Sequence, residues 1–290
     1  MIRDYVVYTL IPDKWYLSWK FRKVFGRSID WENPKTFNEK IQWLKLNDRN
    51  PLYHNMIDKL RVKPMIAKVI GNEHIIPTIM GGFTRLSEIS KDKLPEQFVL
   101  KCNHDAGSVM ICKDKSVFDW NYAAYKLERH LESDYYHGEN KQWAYKGIKR
   151  CIFIEQYIED EAIHQLLDYK FFCFNGKVKC FKIDCDRFVN HRANYYDTDC
   201  NLLPICELVC PPIETMDIKI PDNIDEMIAI AEKIAKWINN PFSRIDLYNI
   251  NGCIYFGEIT FYPDGGFGKL HPKEWDYIMG SWMDLSTLQK

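Results

Sequence analysis

SRIDLYNINGCIYFGEITFYPDGG, residues 243–266, holds two apolar segments on either side of Asn251-Gly252. An Asn-Gly pair between runs rich in Ile, Leu, Tyr and Phe predicts a β-hairpin. Side chains alternate between the two faces of a strand, so charged residues at every second position lie together. The alternation places Arg244, Asp246 and Tyr248 on one face of the first strand, and Phe256, Glu258 and Thr260 on one face of the second.

Register decides whether the acids of the two strands meet. A strict two-residue turn pairs Asp246 with Gly257 and sends Glu258 to the opposite face. A three-residue loop, with Gly252 left-handed in a bulge, brings Asp246, Glu258 and Arg244 to one face, and we predict this second arrangement. Two carboxylates among apolar neighbours need a cation, and hard oxygen ligands suit Mg²⁺ held together with substrate phosphates. An ordinary hairpin with a solvated charged face is the alternative interpretation.

Composition narrows the class of protein. The 290 residues are 46% hydrophobic and 14% aromatic, enough for a sizeable core. The formal charge of −1 argues against a nucleic-acid partner, because binding to phosphate backbones requires a basic excess. The sequence contains no long apolar run and no signal-peptide pattern, and many of its cysteines lie in apparent strands. We therefore predict a cytoplasmic protein with reduced thiols.

The first 27 residues combine Trp, Tyr and Phe with Lys and Arg. This composition suits contact with an anionic membrane surface, here the inner face of the membrane. Pro12 prevents one uninterrupted helix through the segment. The alternative is an amphipathic segment packed on the main body of the protein.

The order of the predicted elements is mixed α+β. Residues 35–70 predict helices, and Thr36 with Glu39 forms a capping-box pattern. Short β-rich runs follow from Glu73, with a polar helix over 119–134. The later elements are a hairpin turning at Asn175-Gly176 and a helix over IDEMIAIAEKIAKWI, which ends near Pro241.

A candidate phosphate-binding turn lies in FVLKCNHDAGSVMIC, residues 98–112. Lys101 ends an apolar strand, and the turn from Asn103 to Ser108 is small and polar. Backbone N–H groups in such a turn can hold phosphate oxygens, with a lysine as the point charge. Neither G-x-x-x-x-G-K nor a dinucleotide-binding fingerprint is present. The alternative for Lys101 is a stem lying along apolar surface with its ammonium in water.

A third group of candidates lies in DRFVNHRANYYD. Arg187, His191 and Arg192 are suited to hold a substrate carboxylate or a nucleotide-sugar phosphate, since guanidinium groups pair with such anions in a bidentate manner. A solvated loop is the alternative interpretation.

Taken in order, these motifs resemble a known family. They are DKLRVK, FVLKCNHDAGS, FIEQYIED, DYKFFCFNGKV and RIDLY…GEITFYP. The set resembles the ATP-grasp superfamily, and more closely the TupA-like group associated with bacterial teichuronopeptide and surface-polysaccharide synthesis. The resemblance implies an α+β ATP-grasp fold, in which two α+β subdomains hold ATP between antiparallel sheets. The implied division is an N-terminal helical region over 1–72, a smaller subdomain with the phosphate-covering loop over 73–154, and a larger subdomain with the metal-binding hairpin over 155–290.

The resemblance also implies roles for individual residues, with ATP and Mg²⁺ as cofactors. Lys101 and Arg244 would be catalytic, and Asp246 and Glu258 would bind metal. Thr260 stands where the family has an asparagine ligand, and this shorter neutral group favours one bridging Mg²⁺ over two. The nucleotide-binding residues would be Lys63, Lys101, Asn103, His104, Gly107, Ser108, the adenine hinge Glu155, Gln156, Tyr157 and Ile158, the ribose acceptor Glu161, and Lys170.

The implied activity is that of an ADP-forming carboxylate–amine ligase that works through an acylphosphate. The expected partners are ATP, a carboxylate-bearing sugar or nucleotide sugar such as a uronic acid of a capsular or cell-wall polysaccharide, and an amino acid or other amine. Two alternatives stay open. One is an ATP-dependent sugar kinase, and the other is a non-catalytic nucleotide-binding protein of a polysaccharide assembly complex.

Overall fold

The computed structural model describes residues 10–138, 140–160, 166–185, 191–207, 210–213 and 220–288. Eight α-helices and twelve strands alternate irregularly along this part of the chain. The helices are α1 Asp13–Phe25, α2 Phe37–Asn47, α3 Tyr53–Met56, α4 Val62–Ile70, α5 Trp120–Glu132, α6 Tyr135–Gly138, α7 Ile224–Ile238 and α8 Glu274–Trp282. The strands are β1 Thr78–Phe83, β2 Phe98–Cys102, β3 Val109–Cys112, β4 Ile152–Gln156, β5 Asp168–Phe174, β6 Lys177–Cys185, β7 Arg192–Tyr196, β8 Leu202–Leu203, β9 Cys206–Glu207, β10 Phe242–Ile250, β11 Cys253–Thr260 and β12 Leu270–His271.

A four-stranded antiparallel sheet has the order β1-β4-β2-β3. One face carries Phe98, Leu100 and Ile154, which pack into a small core against α5. Because side chains alternate, Lys101 and Glu155 lie on the opposite face. The sheet thus presents a charged face opposite its apolar one.

A six-stranded antiparallel sheet has the order β11-β10-β5-β6-β7-β8. On one face, Phe171, Cys173 and Ile245 belong to the main core, and α7 packs against β5, β6 and β10. The other face carries alternate residues of the same strands, including Lys170 and Arg244. This second charged face is the one that bears on function.

Several local predictions are confirmed. Thr36 begins α2 with a capping box, in which its hydroxyl accepts from the Glu39 N–H at 3.3 Å and Glu39 accepts from the Thr36 N–H at 3.0 Å. The helix predicted over 224–238 has those bounds, and α1 begins directly after Pro12. Within the described ranges, no helix is both long enough and apolar enough to cross a bilayer.

The hairpin at 243–266 forms, but its predicted turn is wrong. Ile250 pairs with Cys253, so Asn251-Gly252 is a two-residue turn, with both residues at positive φ. The extra residue is Gly257, which interrupts the register between the pairs Leu247↔Phe256 and Asp246↔Glu258.

This displaced bulge changes which side chains share a face. Phe256 lies on the core side with Leu247, whereas Glu258 lies with Asp246, so the prediction that Phe256 and Glu258 share a face is also wrong. The bulge leaves little room for a side chain, because a Cβ at Gly257 would lie 3.0 Å from the Asp246 carbonyl oxygen. The meeting of Asp246 and Glu258 therefore depends on Gly257 and not on the turn.

The division into three regions stays a prediction. Near its first boundary, a 3₁₀ turn over Asn72–His74 follows α4, and His74 Nδ1 lies 2.8 Å from the Ile254 carbonyl oxygen on β11. At the second boundary, β4 continues through residue 155 and ends at Gln156.

Candidate nucleotide and metal site

A row of polar side chains crosses the charged face of the large sheet. Register pairs Glu258 with Asp246, Asp246 with Lys170, Lys170 with Lys182, and Lys182 with Tyr195. Residues paired directly across antiparallel strands lie close together on one face. Five strands thus contribute two acids, two lysines and a tyrosine to one line.

Arg244 lies beside the acidic end of this row. Its Nε and one Nη donate to the two oxygens of Asp246 at 2.7 and 2.6 Å, a bidentate pair. The same Nη lies 3.0 Å from the Thr260 hydroxyl and 3.4 Å from Glu258. The four predicted residues Arg244, Asp246, Glu258 and Thr260 therefore meet in one cluster, which we call the acidic cluster.

The acidic cluster carries one cation between two carboxylates. Burial raises the pKa of Asp246, and the Glu258 charge adds to this effect, although Arg244 acts in the opposite direction. Burial opposes the charge of Arg244, but the neighbouring acids outweigh it and raise its pKa. Glu258 is the more open acid, with its side chain 30% exposed. A hard cation bound here would neutralise the negative charge that Arg244 leaves on the two carboxylates.

Beside the small sheet, two cations surround one carboxylate, the reverse of the ratio in the acidic cluster. Glu155 is buried between Lys63, whose Nζ lies 2.5 Å away, and Lys101, which forms an ion pair with the other carboxylate oxygen. Burial opposes the charge of Glu155, but the two lysines overcome it and lower its pKa. We call Lys63, Lys101 and Glu155 the lysine cluster. Its excess positive charge suits an anion such as a triphosphate.

The turn after β2 is held by internal hydrogen bonds. Asn103 donates to Asp58 at 2.7 Å and accepts from the Cys151 N–H at 2.8 Å. Asp105 accepts from Ser108 and from His130. The side chains of Asn103, His104, Asp105 and Ser108 are buried, whereas Ala106 and Gly107 are exposed. Backbone groups at Ala106 and Gly107 are thus the accessible part of the predicted phosphate-binding turn.

Lys59 joins this turn to the acidic cluster. Its Nζ donates to the Asp105 carbonyl oxygen and lies 3.5 Å from Glu258. Its own N–H donates to the Asn103 carbonyl oxygen at 2.9 Å. One side chain therefore connects elements of both sheets.

The lysine pair in the row has its own buried acids. Lys170 pairs with Asp184, and Lys182 lies 2.9 Å from Glu207, which also accepts from the Tyr195 hydroxyl. Burial, with the nearby charges of Lys182 and Arg244, lowers the pKa of Lys170 to about 8. These lysines offer positive charge deep in the site.

A cavity of about 750 Å³ lies against this face of the large sheet. It is wide enough for a substrate larger than a single amino acid. Polar and aromatic side chains from distant parts of the chain line it, among them Asn140, Lys170, Lys182, His191, Tyr195, Glu207, Arg244, Glu258, Tyr262, Asp264 and Phe267.

The remaining predicted residues lie in different places. Gln156 ends β4 and is exposed, and Tyr157 donates its hydroxyl to Glu159. His191 lines the cavity, with Nε2 3.3 Å from Asp184, and Arg192 begins β7 opposite Cys185. Ile158 is half-buried in the segment that follows β4. Glu161 and Arg187 lie outside the described residues.

Sequence reasoning missed part of the site. Lys59 lies within the motif DKLRVK, from which the resemblance implied a role for Lys63 alone. Lys182 and Glu207 gave no signal of their own, although Lys182 lies two residues before Asp184 on a strand read as a hairpin arm. The register of β5 against β6 and β10 is what brings these groups to one face.

A cluster of two lysines around one acid beside the small antiparallel sheet, with paired acids on a hairpin of the large one, is the arrangement expected of an ATP-grasp protein. The family model for TupA-like ATP-grasp proteins matches residues 39–284. This chain therefore belongs to the TupA-like ATP-grasp family.

Comparison with solved structures gives more distant likenesses. D-alanine–D-alanine ligase from Bacillus anthracis, complexed with ATP, has 17% identity and a TM-score of 0.40, over 71% of this chain and 54% of that one. L-amino acid ligase from Bacillus licheniformis has 13% identity and a TM-score of 0.42, over 77% of this chain and 47% of that one. This chain thus spans about half the length of these ligases. No match was found among curated proteins.

Proposed function

We propose that the protein is an ATP-dependent carboxylate–amine ligase that releases ADP. The observation that carries the proposal is the acidic cluster beside the cavity, with Lys170 and Lys182 in the same cross-strand row. Family membership and the ligase activity named for similar folds support the reaction class.

The donor set fits a divalent cation. Asp246, Glu258 and Thr260 offer hard oxygen atoms on one face, and Glu258 opens toward the cavity. When bound, Mg²⁺ would neutralise charge on the ATP phosphates. Asp246 and Glu258 would hold it, with the Thr260 hydroxyl as a further neutral ligand.

The residues of this chain then have separate tasks in phosphoryl transfer. Lys63 and Lys101 would bind phosphate oxygens, and the N–H groups near Gly107 would cover them. The substrate carboxylate attacks the γ-phosphorus, the bond to the bridging oxygen breaks, and ADP leaves. Arg244 would stabilise negative charge on the transferred group.

The second half-reaction needs positioning more than a protein nucleophile. The amine nitrogen attacks the acyl carbon, the bond to the phosphate oxygen breaks, and inorganic phosphate leaves as the amine loses a proton. Lys170, Lys182 and His191 would orient the anionic substrate in the cavity, together with Arg192 on β7.

The acceptor we propose is a uronic acid of a capsular or cell-wall polysaccharide, or its precursor, and the amine is an amino acid or similar compound. The volume of the cavity and its mixture of lysine, carboxylate and aromatic side chains support a sugar acid. The reaction would take place in the cytoplasm, where ATP is supplied, near the inner face of the membrane.

The first experiment is thermal melting of the wild type and of Glu258→Gln with ATP, with and without Mg²⁺. A ligand that binds only the folded state raises the melting temperature. We expect a Mg²⁺-dependent rise in the wild type that the variant loses. No rise in the wild type at millimolar ATP would contradict nucleotide binding.

Turnover is tested next with glucuronic acid and its nucleotide sugar against a panel of amino acids. Amide product with ADP supports the ligase, and Glu258→Gln should lose at least about 100-fold in rate. A phosphorylated sugar formed without amine would identify a kinase instead. ATP binding without substrate-stimulated ADP release would identify a non-catalytic nucleotide-binding protein, as the replacement at Thr260 allows.

A further inference from the structure

The outer face of α1 exposes two tryptophans. Trp15 is 75% exposed and Trp19 is 54% exposed, although indole side chains of this size are usually well buried. Arg22 and Lys23 are also exposed and lie three and four residues after Trp19, on the same side of the helix. The opposite side of α1 carries the buried residues Tyr16, Leu17 and Phe21.

The charges of α1 are divided between its two sides. Its single acid, Asp13, accepts from Tyr136 at 2.6 Å and from Arg49 at 3.1 Å on the inner side. Lys20 also lies inward, where it donates to Asn140. The exposed cations Lys14, Arg22 and Lys23 therefore have no acid of the same helix beside them.

The tryptophans and cations lie close enough to act together. Lys23 Nζ lies 5.4 Å from the Trp19 ring centroid. Indole rings favour the boundary between water and hydrocarbon, because the ring is apolar and its N–H is polar. Lysine and arginine next to such rings can reach lipid phosphates while their stems lie along the apolar region.

We propose that the outer face of α1 docks on an anionic membrane surface. Trp15 and Trp19 enter the headgroup region, and Lys14, Arg22 and Lys23 contact lipid phosphates. A soluble polyanion would satisfy the cations but would leave both indoles in water. The apolar and cationic groups together therefore point to a lipid surface.

The location of α1 has a consequence for the substrate. Val24 of this helix lines the 750 Å³ cavity, and Lys20 Nζ lies 5.1 Å from the ring of Phe267 in the cavity wall. A helix with its side chains is about 10 Å thick, so docking holds the cavity close to the bilayer. This consequence rests on the proposed function, and it favours an acceptor attached to the membrane over a free nucleotide sugar.

Sedimentation of the full chain with lipid vesicles tests the docking without using enzyme activity. Vesicles of phosphatidylcholine alone are compared with vesicles that contain equal parts of phosphatidylglycerol. We expect binding to the anionic vesicles only, a blue shift of tryptophan fluorescence, and weakening by salt. Absence of binding to the anionic vesicles, or equal binding to both kinds, would overturn the proposal.

Variants separate α1 from other exposed aromatic surfaces. Replacing Lys14, Arg22 and Lys23 with Gln should weaken binding about 100-fold, since each cation near a charged bilayer adds roughly a fivefold factor. Trp15→Ala with Trp19→Ala should weaken it at least about tenfold. Tyr122→Ala with Tyr125→Ala on α5 is the matched control, because both tyrosines are exposed and lie on a different helix. Equal loss in the control would overturn the assignment to α1.

The outcome is independent of the proposed reaction. The Trp15 and Trp19 variants should keep their ADP release with a soluble substrate pair. Loss of vesicle binding with intact turnover supports docking by α1, whereas vesicle binding that survives these variants refutes it. Failure of the ligase assay in the wild type would concern the reaction alone.

Discussion

The lysine cluster and the acidic cluster both hold charged side chains away from water, but they differ in the ratio of cations to carboxylates. In the lysine cluster, two cations surround the single carboxylate of Glu155 and lower its pKa. In the acidic cluster, two carboxylates share the Arg244 guanidinium, Lys59 lies 3.5 Å from Glu258, and burial raises the pKa of Asp246. The difference teaches that burial alone does not set ionisation, because the ratio of partners decides its direction. The same difference makes the lysine cluster suited to an anion and the acidic cluster suited to a cation.

The strongest way to break this comparison is Asp246→Asn. Burial favours the neutral form of Asp246 itself, but the variant removes the bidentate partner of the Arg244 guanidinium, which stays charged, so we expect a loss of about 3–5 kcal/mol in unfolding free energy. Urea unfolding measures it. Glu258→Gln is the matched control, since it contacts the same Arg244 through a partly exposed side chain, and it should cost below about 1 kcal/mol. Equal losses would contradict a special role for the buried acid.

Glu155→Gln tests the lysine cluster and should cost less, about 1–3 kcal/mol. Lys63 keeps two other acceptors, the Ile76 carbonyl oxygen at 2.7 Å and the Thr78 hydroxyl at 3.0 Å. Lys101 is 20% exposed and can reach water. The same urea experiment applies, and a loss larger than that of Asp246→Asn would reverse the ranking of the two clusters.

The bulge that forms the acidic cluster can be tested by Gly257→Ala. Its Cβ would meet the Asp246 carbonyl oxygen at 3.0 Å and the ring of Tyr248 at 3.1 Å, so we expect a cost of about 1–2 kcal/mol. Gly138→Ala is the control, because a Cβ there meets no atom within 4 Å, and it should change stability by under about 0.5 kcal/mol. Thermal melting distinguishes them, and similar shifts in both would argue against strain at the bulge.

The smallest expected effect is the pH dependence of the stability that Glu155 contributes to the lysine cluster. The folded pKa of Glu155 lies below the ordinary value of 4.5, so on acidification the unfolded chain binds the proton first. The stability that ionised Glu155 contributes is therefore present above pH 4.5 and is lost as pH falls through its folded pKa. The stability difference between wild type and Glu155→Gln should therefore shrink in acid. A difference that grows in acid would contradict the lowered pKa.

The sequence was sufficient for the local parts of the fold. The capping box at Thr36, the helix over 224–238 and the turn residues Asn251-Gly252 depend on neighbours in the chain. The fold class also followed, because the motif set resembles one family. Local pattern was sufficient there because each feature is completed within a few residues.

The rest depended on contacts that sequence pattern does not encode. Alternation put Asp246 and Arg244 on one face, but it could not locate the extra residue at Gly257. The pairing of Lys170 with Asp246, and the approach of Lys59 to Glu258, join residues far apart in the chain. Such contacts are set by sheet order and packing, which a single sequence does not reveal.

The bulge at Gly257 divides β11 into two halves with different surroundings. Positions 253–256 pair ahead of the bulge, where Ile254 and Phe256 are core residues. Positions 258–260 pair beyond it, where Glu258 and Thr260 face the cavity. Substitutions of core residues in the first half should lower expression and stability, and substitutions of Glu258 and Thr260 should alter metal or substrate preference in a protein that still folds. Substitutions that change the chemistry at the cavity end of β11 thus need not disturb the core residues at its other end.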